Sequence, residues 1–297
     1  MLELPLDKDL QQKKETLKEF YSITLRVLQY LPNVLSKVEE KGNYQIFSTY
    51  NTGTTKYIRP INKTIFISNS ELFNESIKQF DQIIDRLKNN ERDFSEEEKK
   101  LIDSVLYTIQ QAIGAGLDLL VDPNSARKHV GNRFEELIKV VLSAVGIPNK
   151  RTILKIPYPT EEGEKFYICE NDLILSAEPE LLKSRTIHEK EVVVSVKTSS
   201  KDRMGKMFID KILLEKFVGH SLKVIGIFLN DVQRKEGNNI SFTLVSGLFM
   251  VYNKFLTPLQ GVYYLDPPPK AKKAPYNSHI KQFSELITTD IYSLLSS

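Results

Sequence analysis

Four side chains, in chain order Glu135, Asp172, Lys197 and Asp210, are of the types that carry phosphodiester chemistry. Asp172 stands in FYICENDLIL, directly before the apolar Leu173, Ile174 and Leu175. A carboxylate entering such a strand is costly to bury without a partner, a cation above all. Lys197 closes the run Val192, Val193, Val194 and Val196, and a buried strand seldom ends in lysine for packing alone. Carboxylates from neighbouring elements can converge on a hard divalent cation, which prefers oxygen ligands. A lysine beside them can stabilise the charge of a phosphoryl transition state or position the attacking water. Together these groups are the equipment for metal-dependent hydrolysis of a phosphodiester. Each also has a plain reading. Lys197 can snorkel at a strand end, Glu135 can pair with Lys139 one helical turn on, and Asp172 can be a loop residue before a strand.

The elements that must hold these groups are legible as patterns. Valines at this density predict a buried strand over 191–197. Thr198, Ser199 and Ser200 then break it, and Met204, Phe208, Ile212 and Leu213 start a helix. Phe134, Leu137, Ile138, Val141, Leu142 and Val145 form a helical stripe that Gly146 and Pro148 close. RTILKIPY and FYICENDLIL read as a hairpin around Glu161–Gly163, and KVIGIFLN reads as a central strand. Upstream, residues 8–31 read as a helix stopped by Pro32, with the pattern resuming through Val34, Leu35 and Val38 to Gly42. Residues 43–67 suggest one or two strands around a polar loop. Its Tyr50, Lys56, Tyr57 and Arg59 suit either nucleic-acid contact or an ordinary hairpin, and the hairpin is preferred. Helices follow over 70–90 and from Glu96, where Ser95 and Glu98 form a capping box. A strand at 261–266 and a last helix over 278–295 end the chain. The predicted class is α/β, a central mixed β-sheet flanked by helices, with a mainly helical N-terminal part. Residues 1–120 form that region, packed on a core of 121–297.

The chain has 297 residues, 41% hydrophobic and 27% charged, enough for a substantial core. Its net charge of +3 is too small to indicate a nucleic-acid partner unless the charge is local. One cysteine, Cys169, excludes an intramolecular disulfide and a cysteine-based metal site, and fits a cytoplasmic location. His129, His188, His220 and His279 show no ligand spacing. No apolar run is long enough for a membrane span, and the N-terminus carries no signal-peptide pattern.

On these residues the chain resembles the PD-(D/E)XK nuclease superfamily. Its second motif, an acid, any residue, then lysine, here reads Ser195–Val196–Lys197, and its first reads Glu170–Asn171–Asp172. One branch carries this departure as a habit: type II restriction endonucleases reading CCGG, CCNGG or CCWGG sites. That branch has Ser-x-Lys on the strand and an acid about 13 or 14 residues later on the next helix. Asp210 stands thirteen residues after Lys197. Phe134–Glu135 resembles the Phe-Glu pair of the branch's preceding helix, and Lys201–Asp202–Arg203 resembles its reader of GG:CC half-sites. The resemblance implies that Asp172 and Asp210 hold Mg²⁺, with Lys197 and Glu135 in the catalytic set. It also implies that Lys201, Asp202, Arg203 and Lys206 contact double-stranded DNA, through base edges and phosphates. A palindromic site further implies a homodimer or a dimer of dimers. Glu215 is the rival to Asp210 for the displaced acid. A repair or structure-specific nuclease on the same core, a non-catalytic DNA-binding protein, and an α/β protein of unrelated function, in which Asp172 and Lys197 would lie far apart, are the alternatives.

Overall fold

The valine run forms the middle of a six-stranded sheet, and the rest of the chain is arranged on its two faces. The computed structural model describes residues 4–51, 54–201, 203–244 and 246–296. The chain begins with α1 (Leu6–Gln11), α2 (Leu17–Val34) and the strands β1 (Lys37–Lys41), β2 (Tyr44–Asn51), β3 (Thr54–Tyr57) and β4 (Ile61–Asn62). Three long helices follow: α3 (Ser70–Lys88), α4 (Glu96–Leu120) and α5 (Pro123–Ala144). The hairpin β5 (Asn149–Thr160) and β6 (Gly163–Leu175) leads to β7 (Val192–Ser199), α6 (Met204–Val218) and β8 (Lys223–Asn230). Next come the short pair β9 (Val232–Arg234) and β10 (Ile240–Phe242), then α7 (Ser246–Phe255), β11 (Gly261–Asp266) and β12 (Ile280–Gln282). The last helical pieces are Phe283–Glu285, a π turn Leu286–Asp290, and Ile291–Ser296.

The large sheet has the order β12-β11-β8-β7-β6-β5. β7, β8, β11 and β12 are parallel, while β6 and β5 run antiparallel. The mixed sheet flanked by helices is therefore as predicted. β8 and β11 are almost wholly buried, because parallel strands here are covered on both faces. One face packs Leu173, Val192, Val194, Val196 and Ile227 against α1 to α5 and the C-terminal pieces. The other packs Val193, Phe228 and Tyr264 against Met207 and Phe208 of α6 and Phe249 of α7.

Four local readings are corrected. The first helical stretch is two helices, because Thr16 and Glu19 form a capping box that starts α2 afresh. Pro32 lies inside the last turn of α2 rather than ending it, and the helix stops at Val34. The helical pattern expected through Val38 is β1, which gains its hydrogen bonds by pairing with β2. At the other end, residues 280–282 join β11 as an edge strand, so the last helical segment begins at Phe283.

Asp103 of α4 fastens this C-terminal edge. It is 1% exposed and accepts from the Ser284 backbone N–H at 2.9 Å, the Ser284 hydroxyl at 2.7 Å and Gln282 Nε2 at 3.0 Å. Burial pushes its carboxyl up to about 8, against the pull of these donors. Between the unfolded pKa of about 4 and the folded one, the folded chain holds a proton that the unfolded chain has released. Its contribution is thus full below pH about 4 and is lost as pH rises towards 8. Urea unfolding at stepped pH is expected to show wild-type stability falling relative to Asp103→Asn across this window, by a few kcal/mol in all. Parallel curves for the two proteins would refute it.

Candidate active site

β7 pairs with β6 only from Leu175↔Val192 to Leu173↔Val194. Beyond that point β6 changes register against β5: Lys150 faces Ile174 but Thr152 faces Asn171. Asp172 and Leu173 thus stand opposite the single residue Arg151, which is a β-bulge. A bulge turns the side chains of its strand, and the packing records the turn. Cys169 belongs to one core, whereas Leu173 and Leu175 belong to the other, although all three have the same parity.

The bulge delivers Asp172 to the end of β7. Its Oδ2 accepts from the Val196 backbone N–H at 2.8 Å and from Lys197 Nζ at 2.6 Å. The carboxylate takes the place of a ladder bond where the β6–β7 pairing has stopped. Lys197 Nζ also lies 3.3 Å from Glu135 Oε1 on α5. The three side chains keep 29%, 12% and 28% exposure for Lys197, Asp172 and Glu135. Burial raises the Glu135 carboxyl above its ordinary value, and the charge of Asp172 adds to the effect. Lys197 and Arg151 oppose it. Three elements far apart in sequence therefore meet at one ammonium group. Lys197 is not merely snorkelling, and Glu135 pairs with it rather than with Lys139. The neighbouring Glu136 has a separate task, bonding Arg133 Nη2 at 2.6 Å and the Lys14 backbone N–H at 3.0 Å.

Asp210 lies outside these contacts. On α6 it accepts from Lys206 Nζ at 2.7 and 2.5 Å, an i,i+4 pair. Its charge raises the Cys169 thiol after burial does, so it faces β6 three residues upstream of Asp172. Glu215 is turned the other way. It accepts from the Leu222 backbone N–H at 2.9 Å and lies 3.7 Å from Lys211 Nζ. Among the described residues no three His, Cys, Asp or Glu side chains are grouped so as to hold a metal ion. Asp172 and Glu135 nevertheless offer adjacent hard oxygen donors that repel one another, a set suited to Mg²⁺, which needs few protein carboxylates.

The turn after β7 presents Lys201 and Arg203 as exposed cations with no side-chain partner among the described residues. Asp202 lies outside the described residues. This turn is anchored by Asp231, which is 0% exposed and which the sequence reading passed over. Asp231 accepts from the Ser200 hydroxyl, from Thr243 Oγ1 at 2.6 Å and from the Leu244 N–H at 2.6 Å. An aspartate straight after the apolar run of β8 was the available signal, of the same kind as Asp172. The 43–67 cations are engaged in the fold: Lys56 Nζ bonds the Leu119 carbonyl and Arg59 forks onto Asp118. That agrees with the plain hairpin.

No protein-family model and no curated protein sequence matches the chain. Among solved structures, the crystal structure of the type IIP restriction endonuclease Kpn2I aligns at a TM-score of 0.72 and 17% identity. The alignment covers 94% of this chain and 91% of that one. A complex of the restriction endonuclease PspGI with substrate DNA matches more loosely, at a TM-score of 0.42 and 17% identity over 76% and 92% of the two chains. The chain thus shares the fold of a restriction endonuclease over nearly its whole length.

Asp231→Ala is expected to lower unfolding stability by about 2–3 kcal/mol, because one buried and two half-buried donors lose a charged acceptor. Lys190→Ala, which breaks an exposed pair with Glu178, should change it by less than about 1 kcal/mol. Urea titration of both variants checks the contrast, and equal effects would remove the anchoring role.

Proposed function

We propose that the chain is a type II restriction endonuclease that hydrolyses double-stranded DNA at a specific sequence with Mg²⁺. The observation that carries this reading is the Lys197 ammonium held between Asp172 and Glu135 at the end of a central parallel strand. It stands within a fold shared with a type IIP enzyme.

In this reading Asp172 and Asp210 hold the cation, with Glu135 beside them or acting through a water. The Lys206–Asp210 bond is an exposed i,i+4 pair worth about 0.3–0.5 kcal/mol, so releasing Asp210 from it is cheap. The Leu222 contact of Glu215 favours Asp210 as the helix acid. Bound Mg²⁺ supplies Lewis-acid polarisation of the scissile phosphate and a more acidic water. Lys197 orients the attacking water or donates to the phosphate, and Asp172 fixes that ammonium while tying it to the β7 backbone. Arg203 makes a bidentate contact to guanine O6 and N7, Lys201 donates to the neighbouring base, and Asp202 accepts from cytosine N4. The site read in this way contains CC and GG. Lys206, freed from Asp210, meets phosphate.

Two such sites acting on one palindrome require two chains. The apolar residues of the last helical segment are spent in the core, whereas α7 leaves Leu248, Val251 and Phe255 exposed along one stripe. That stripe is the better candidate for the surface joining a homodimer, alone or as half of a dimer of dimers.

Asp172→Ala and Lys197→Ala should reduce plasmid cleavage in Mg²⁺ at least about a hundredfold while duplex binding stays measurable. Asp210→Ala should do the same and Glu215→Ala should not. The reverse order would move the acid to Glu215. Digestion of a genome of known sequence, with sequencing of the ends and sedimentation of the protein–DNA complex, tests the rest. Ends sharing a palindrome with CC and GG, and two or more chains per duplex, are expected. A shared motif lacking GG would sink the reading role of 201–203, and no cutting would leave a DNA-binding protein.

A further inference from the structure

A second basic surface lies at the same C-terminal end of the sheet as Lys197. The parallel register sets Lys197, Phe228 and Tyr264 level across β7, β8 and β11. One step further, Ser199, Asn230 and Asp266 are level in the same way. Asp266 therefore lies two strands from Ser199, a distance of about 10 Å at ordinary strand spacing. It stands in the wall of an open cleft of about 990 Å³ between the small β1–β4 sheet and the turn after β11. Lys41 lines one wall of this cleft, and Lys272 and Lys273 line the other. Lys272 and Lys273 are exposed, and none of the three lysines has a side-chain hydrogen bond or ion pair among the described residues. Asp266 is the one carboxylate of the lining, and both of its oxygens are engaged by protein donors. It is 5% exposed, accepts from Tyr44 OH at 2.9 Å and from Asn62 Nδ2 at 2.8 Å, and burial pushes its pKa up to about 6. Amide side chains, among them Asn43 and Gln282, complete a lining suited to phosphate and sugar oxygens.

We propose that Lys41, Lys272 and Lys273 form a phosphate-binding surface that grips the backbone of the duplex beside the segment addressed by residues 201–203. The proposal rests on the DNA-cleaving reading above. The spacing agrees with it: about 10 Å separates the cleft wall from the start of the reading turn, and a B-DNA major groove is about 12 Å wide. A duplex presenting that groove to Lys201 and Arg203 lays its flanking strand over the cleft. The contacts are to backbone, so they fix register and affinity on all sequences alike.

The test is fluorescence-anisotropy binding of a short duplex in EDTA from about 50 to 200 mM NaCl. Each phosphate contact contributes about 0.9 to the slope of log affinity against log salt. Lys272→Ala/Lys273→Ala is expected to make that slope less negative by roughly 1–2, and Lys41→Ala, on the opposite wall, by roughly 1. Lys272→Arg/Lys273→Arg should restore it. Lys78→Ala/Lys100→Ala removes the same charge from exposed positions on α3 and α4 and should leave the slope unchanged. Wild-type slopes in both cleft variants would overturn the proposal while leaving the proposed function intact. An equal loss in the α3/α4 variant would also overturn it, since the effect would then be net charge and not a site. A wild-type protein that binds no duplex at any salt would bring down the proposed function, and this surface with it.

Discussion

The structure depends on keeping one ammonium group between two carboxylates at the C-terminal end of a central strand. Lys197 has Asp172 at 2.6 Å and Glu135 at 3.3 Å. Burial and the charge of Asp172 raise the cost of ionising Glu135, and Lys197 offsets part of that cost. The arrangement needs a helix, a bulged strand and a strand end at the same point. The packing supplies this through α5, whose Phe134, Leu137 and Ile138 are wholly buried against the sheet face that carries Val194 and Val196. The apolar face of α5 sets its depth, and Glu135, next to Phe134 at the border of that face, is left to reach that strand end.

The same end of the sheet gathers the other polar features. Asp231 holds Ser200 at the start of the turn after β7. The Arg234 guanidinium lies over the Tyr57 ring at 5.0 Å, Asn238 donates to Glu39, and Tyr44 meets both Phe242 and Asp266. These contacts tie the β1–β4 sheet to the C-terminal ends of β8 and β11. In open α/β sheets this is the end where ligands bind, because the strand order and the loops leave a crevice there. The buried Asn62, Ser200, Asp231 and Asp266 at this end are paired with one another or with neighbours, as a low-dielectric setting demands.

Local rules fail where this end is built. An aspartate interrupts an apolar strand at 172, a lysine ends one at 197, and an aspartate follows one at 231. Each breaks the expected hydrophobic pattern, and each has a named partner in the fold. Such conflicts between pattern and placement mark the parts of a chain kept for something other than packing. Asp103 is the counter-example. It is as buried as Asp231, and its partners Ser284 and Gln282 fasten the far side of the sheet, which is a structural task.

The amino-acid sequence by itself determined the sheet strands with dense β-branched or apolar runs, the amphipathic α3, α4 and α5, the hairpin turn at 161–163 and the candidacy of Glu135, Asp172 and Lys197. These signals are local: side-chain period, caps and turn residues act within a few positions of one another. Tertiary structure decided whatever depends on a distant partner. Lys37–Lys41 and Ile280–Gln282 are strands only because β2 and β11 offer them hydrogen bonds. The bulge at Asp172 arises from the register of β5 against β6, which no spacing along one strand reveals. Which of two adjacent glutamates reaches Lys197 was settled by the depth at which α5 packs. Asp231 gained its role only when Ser200 and Thr243 were brought to it from either side in sequence. Side-chain type and spacing state what a residue can do. The long-range register of the sheet states which residues are near enough to do it together.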